Sequence, residues 1–171
     1  MTRLRHLLLS LLLASAGLHA APRTLDWADL LPEGAAAPLP PLAAFHELAR
    51  LNSLLSDESG PAAPQQTENT PLVEALDGQE IRLPGYLVPL YLGRDGRVRE
   101  FLFAPYVGAC IHVPPPPPNQ LVLVRSEAGV PISDLQRPYW IEGMLKVSRE
   151  ATALAEAGYQ MNATRLVPYE E

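Results

Sequence analysis

Only one cysteine, Cys110, stands in 171 residues, so no intramolecular disulfide can form. Dithiol exchange through a CxxC pair and haem attachment through CxxCH are excluded with it. A phosphate-binding glycine loop and a GxSxG serine elbow are also missing, which removes two common catalytic signatures. Basic residues are few, 13 against 19 acidic. Such a surface repels phosphate backbones and anionic lipid, which speaks against nucleic acid as a partner. No apolar run reaches the roughly 20 residues that span a bilayer, so the chain is not expected to be membrane-embedded.

The longest apolar run is Leu7 to Leu13, preceded by Arg3 and Arg5 and followed by small residues to Ala21. That order reads as a secretory signal peptide over residues 1–20, cut after Ala20, and places the mature protein in the periplasm. Without Arg3 and Arg5 the balance is 11 basic against 19 acidic residues, a formal charge of −8. In an oxidising compartment a lone thiol is buried, metal-bound or used between chains.

Residues 21–71 read as a linker and helix-containing segment. Residues 23–31 form a short amphipathic piece able to pack through Trp27 and Leu30 or Leu31, and Pro32 ends it. Residues 34–41 are rich in alanine and proline. Leucine, phenylalanine and alanine at helical spacing predict a helix over 42–56, and 57–71 carry little to bury and should be exposed or disordered.

The β domain is expected over 72–171. Residues 80–92 (EIRLPGYLVPLYL) make a long first strand bent at Pro84, Gly85 and Pro89. A hairpin turn at 93–96 leads to strands over 98–103, 120–125, 139–147 and 158–168. A short helix is expected over 148–157, with Ser148 as N-cap and Gly158 just past its end. These elements suit a mainly β (α+β) fold, a small five-stranded antiparallel barrel of the oligonucleotide/oligosaccharide-binding (OB) type. A β-sandwich or open antiparallel sheet accepts the same strands.

Chemistry concentrates in residues 100–120, EFLFAPYVGACIHVPPPPPNQ. If this stretch is extended, Cys110 and His112 project from one face, and a thiolate beside an imidazole is part of a soft-metal site. The alternative for Cys110 is a buried small hydrophobe. Further zinc ligands would come from His46, Glu68, Glu74, Asp77, Glu100 or Glu142, whereas Met144 and Met161 would favour Cu(I). A cysteine nucleophile with a histidine base needs an orienting third group and an oxyanion site, for which only the Gly108 and Ala109 amides offer themselves, so no enzyme is expected. Pro114 to Pro118 should form a stiff polyproline II rod, either a connector between the second and third strands or a partner-docking element. Tyr86, Tyr91, Tyr106, Tyr139 and Trp140 read as core, and Arg94, Arg97 and Arg99 as a solvated strand face.

Taken together, the Gly85-Tyr86-Leu87-Val88-Pro89 strand, the Gly108-Ala109-Cys110-Ile111-His112-Val113-Pro114 stretch running on to Asn119-Gln120, and the Tyr139-Trp140-Ile141-Glu142-Gly143 strand resemble a family of secreted bacterial proteins with a domain of unknown function. The likeness covers about residues 71–170. It implies a periplasmic companion of a transport system, in some members tied to zinc scarcity. The expected role is therefore non-enzymatic: transition-metal handling, zinc first, at Cys110 and His112, serving transporter components. The alternative is a protein-interaction accessory of an ABC-type transporter with a structural thiol.

Overall fold

The computed structural model describes residues 21–35, 66, 70–110 and 115–170. The linker from residue 36 on, the expected helix over 42–56 and the expected signal peptide lie outside them. Six strands follow in order: β1 Arg23–Thr24, β2 Glu80–Leu92, β3 Arg97–Ala104, β4 Val122–Pro131, β5 Tyr139–Ala151 and β6 Glu156–Pro168. Strands β2 to β6 close on themselves in the order β2-β3-β4-β6-β5-β2, and β1 adds parallel to the start of β2. No described helix is long and apolar enough to cross a membrane.

The barrel closes because β2 serves two partners. Its first half pairs with β5 through Gly85 and its second half with β3 from Tyr86. Gly85 is the pivot: a Cβ there would lie 2.7 Å from both the Ala104 carbonyl oxygen and a Phe103 ring carbon, so only glycine admits the crossing. The small barrel expected from the sequence is present, but it is mixed rather than antiparallel, since β4 runs parallel to β6. That pairing joins strands distant in sequence, which local patterning does not specify.

The helix expected over 148–157 is absent. Residues 148–151 extend β5, a four-residue turn follows, and Ala151 pairs with Glu156. Thr152 closes the turn, its hydroxyl accepting from the Leu154 and Ala155 amides. Arg149 reaches Glu156 at 2.6 Å across the hairpin. Good helix formers are thus overruled by a ladder and a turn, propensity being a weak prior. Gly158 ends no helix; it lies inside β6, where a Cβ would come within 2.7 Å of the Pro118 carbonyl oxygen.

Two layers are buried. Alternate residues of the strands, among them Ile81, Leu83, Phe101, Phe103, Val124 and Ile141, fill the barrel interior. The short piece before Pro32 plugs this interior with Leu25, Trp27 and Leu30. The Trp27 indole N–H donates to the Pro84 carbonyl at 2.6 Å. The buried Tyr159 hydroxyl donates to Leu30 O at 3.0 Å and accepts from Val73 N at 2.9 Å. The intervening residues Leu102, Ala104, Leu121 and Leu123 point outward yet are also buried, beneath the connection from β3 to β4.

Candidate functional site

The β3–β4 connection carries the Cys110 stretch, and its second half is a fixed connector. Pro116 and Pro118 are buried, and Pro117 has the φ of −59° and ψ of 156° of polyproline II. Gln66 straps this run to the start of β6: its amide N–H group donates to Pro116 O at 2.6 Å and Glu156 O at 3.1 Å, and its oxygen accepts from Glu156 N at 2.7 Å. Gln66 therefore departs from the exposure expected of residues 57–71. The buried Gln120 donates to Trp27 O at 2.9 Å, and Asn119 to Pro71 O at 3.2 Å. Proline, asparagine and glutamine of the motif thus tie three remote segments together.

Cys110 follows a tight turn and has φ of +65°, in the left-handed region with Gly108 nearby at +76°. Side-chain alternation along an extended strand therefore does not apply at this residue, which corrects the premise that Cys110 and His112 share a face by strand geometry. His112, with residues 111–114, lies outside the described residues. Cys110 is half-buried against the outward Leu102 and Leu123 layer. Burial pushes its thiol up to about 11. Tyr106, packed on the same layer, is pushed up to about 12 by burial first and the neighbouring thiol second.

Among the described residues, the other ligand candidates do not gather around it. His46 and Glu68 lie outside the described residues. Glu74 and Asp77 are exposed, and the Asp77 carboxylate accepts from Val147 N at 2.8 Å. Glu100 pairs with Arg125 at 3.5 Å, and Glu142 with Arg82 at 3.4 Å. Met161 is sealed in the barrel interior, in a different layer from Cys110, while Met144 is 59% exposed on the surface. The Cu(I) alternative through Met161 is thereby removed. Among the described residues no three or more histidine, cysteine or acidic side chains form a cluster able to hold a metal.

A second region escaped the sequence reading. The β4–β6 ladder stops at Arg125 and Asn162, beyond which the strands part. There β4 opens into a bulge, four residues standing opposite Arg99 alone. Arg97 donates to Ala128 O at 2.7 Å and Gly129 O at 2.8 Å, and Arg99 to Glu127 O at 3.0 Å, holding the bulge open. Of the three arginines expected to face solvent, Arg94 is exposed, while Arg97 and Arg99 also brace this seam. The gap is a cleft of about 1020 Å³ lined by Tyr91, Arg99, Arg125, Ser126, Asn162 and Arg165 among others. A neighbouring hollow of about 410 Å³ shares Arg125 and Asn162 and reaches Met144. Tyr91, expected in the core, stands at the lip and is 66% exposed. Register shifts flank it on both sides, and such bulges re-aim side chains.

Three arginines at the cleft each have a carboxylate partner. Arg125 lies 2.9 Å from Glu150, Arg99 2.7 Å from Asp95 and Arg165 3.6 Å from Glu142. The Arg99 guanidinium holds the Asp95 carboxyl down to about 2.

Comparisons with known proteins complete the picture. The chain is similar to a crystal structure of a DUF3299 family protein from Pseudomonas aeruginosa PAO1, with 51% sequence identity, 89% of this chain and 99% of that one covered, and a TM-score of 0.71. No curated protein matches. The family model described as a protein of unknown function, DUF3299, matches residues 27–168, taking in Trp27 and so reaching well ahead of the residues that carry the likeness in the sequence. The barrel, its Trp27 plug and the connector that straps them together all fall within that match, and the chain belongs to the DUF3299 family.

Proposed function

We propose that the protein is an exported, non-enzymatic accessory of a transport system that handles a soft transition metal, zinc first, through Cys110 and His112. The observation that carries this reading is the placement of Cys110: its thiol is half-buried rather than sealed, on a turn anchored by a strapped connector. A thiol pushed up to about 11 stays protonated at neutral pH when free, which limits its oxidation. Metal capture displaces that proton, so apparent zinc affinity rises with pH below that value, by about tenfold per unit for one thiol proton. An incomplete ligand shell suits a carrier that passes metal to a partner.

A second reading is favoured by the apolar layer around Cys110, which fits a packing thiol in a protein-interaction accessory of an ABC-type transporter. Zinc titration of protein purified without an affinity tag separates the two. The metal reading expects Cys110→Ser and His112→Ala each to weaken zinc binding by about tenfold or more. Affinities equal to wild type leave the packing thiol.

A further inference from the structure

We propose that the cleft at the β4–β6 seam binds a neutral oligosaccharide, with the exposed Tyr91 ring as its stacking face and Asn162, Arg125 and Arg165 as hydrogen-bonding groups. This site is separate from Cys110. Four observations converge on that ligand class. First, Tyr91 is 66% exposed at the lip, turned outward between two register shifts. An aromatic face with a polar tip matches a pyranose ring, whose C–H face is apolar and whose rim carries hydroxyls.

Second, the arginines at the cleft are already engaged. Each of Arg99, Arg125 and Arg165 already has a carboxylate within 3.6 Å. A phosphate or carboxylate ligand would have to displace those partners, and a cation would meet carboxylates already engaged by arginine. Neutral diols suffer neither penalty: guanidinium, amide and hydroxyl groups offer donors and acceptors in the planar arrays that adjacent sugar hydroxyls satisfy. Third, the shape is long. The cleft of about 1020 Å³ and the hollow of about 410 Å³ share Arg125 and Asn162 as lining, an extended arrangement that suits a chain rather than a single ring. Fourth, small barrels of this kind receive oligonucleotides or oligosaccharides on their second and third strands. Here those strands, β3 and β4, supply Arg99 and Arg125. The chain's net charge of −6 decides against the nucleotide.

Amide chemical-shift titration of the purified protein tests the site, with the β-1,4-linked tetramers of N-acetylglucosamine and of glucose as neutral probes and a deoxythymidine tetranucleotide as the anionic one. At least one neutral tetramer should shift the amides of Tyr91, Arg125, Asn162 and Arg165 at millimolar concentration, with the tetranucleotide leaving them unmoved. Tyr91→Ala should weaken that binding about tenfold. Tyr91→Phe, which keeps the ring and loses only the hydroxyl, should retain most of that binding, and Cys110→Ser should bind as wild type does, which makes the outcome independent of the metal reading. The proposal is overturned if neither neutral tetramer shifts these amides, if the tetranucleotide shifts them more, or if Tyr91→Ala binds like wild type.

Discussion

The outer face of β3 and β4 and the seam between β4 and β6 share the strand β4 and end as opposites. On the first, Leu102, Ala104, Leu121 and Leu123 point away from the barrel interior and are buried all the same, because the β3–β4 connection folds back over them. On the second, β4 leaves its partner after Arg125 and nothing among the described residues covers the gap. One region spends its side chains on packing and raises the pKa of the groups it encloses. The other keeps its polar side chains exposed, with their charges cancelled in pairs. Function is therefore sought at the margin of the first, where Cys110 is half open, and along the whole of the second.

Substitution should break this contrast unequally. Leu102→Ala, which removes a fully buried side chain from the covered face, is expected to cost about 2–5 kcal/mol. Tyr91→Ala at the seam should change stability by less than about 0.5 kcal/mol. Urea denaturation measures both, and similar losses at the two positions would mean that the seam is no more open than the face. Next in size is Gly158→Ala. The added methyl group would meet a Leu72 methyl carbon and lie 2.7 Å from the Pro118 carbonyl oxygen, so the connector must shift, at about 1–3 kcal/mol. Retention of wild-type stability would show that the connector is not seated as described.

The smallest effect is a pH dependence confined to the covered face. Cys110 is raised from its ordinary 9.0 to about 11 in the folded chain, by burial. An unfolded chain gives up this proton first as pH rises, so the contribution to stability is complete below pH 9.0 and is lost as pH climbs towards about 11. Tyr106, raised from 10.0 to about 12, extends the loss upward in pH. Cys110→Ala should flatten the fall in stability across the first interval, as read from thermal unfolding at a series of pH values. An unchanged slope would place the thiol in water.

Much of the barrel was legible in the residues. The bounds of β2 follow from its alternation and turn signals, and its bend from Pro84 and Gly85, since glycine alone tolerates a neighbouring backbone at contact distance. Trp27 and Leu30 announced a packing piece by amphipathic spacing. The strand over 148–151 was not legible, because Ser148 to Ala157 favours a helix locally and only pairing with β6 overrules it.

Sequence alone determined that a lone thiol would stand two residues from a histidine, ahead of a run too stiff to fold back, because proline fixes φ and removes the donor N–H. It also determined the five barrel strands in outline, since alternation is written residue by residue. Tertiary structure decided what no local pattern encodes. It set the parallel pairing of β4 with β6, the left-handed turn that takes Cys110 out of a strand, and the parting of two strands that leaves Tyr91 at the lip of a cleft. Each of these depends on contacts between segments far apart in the chain, where the free energy of closure is settled by the whole fold rather than by neighbours in sequence.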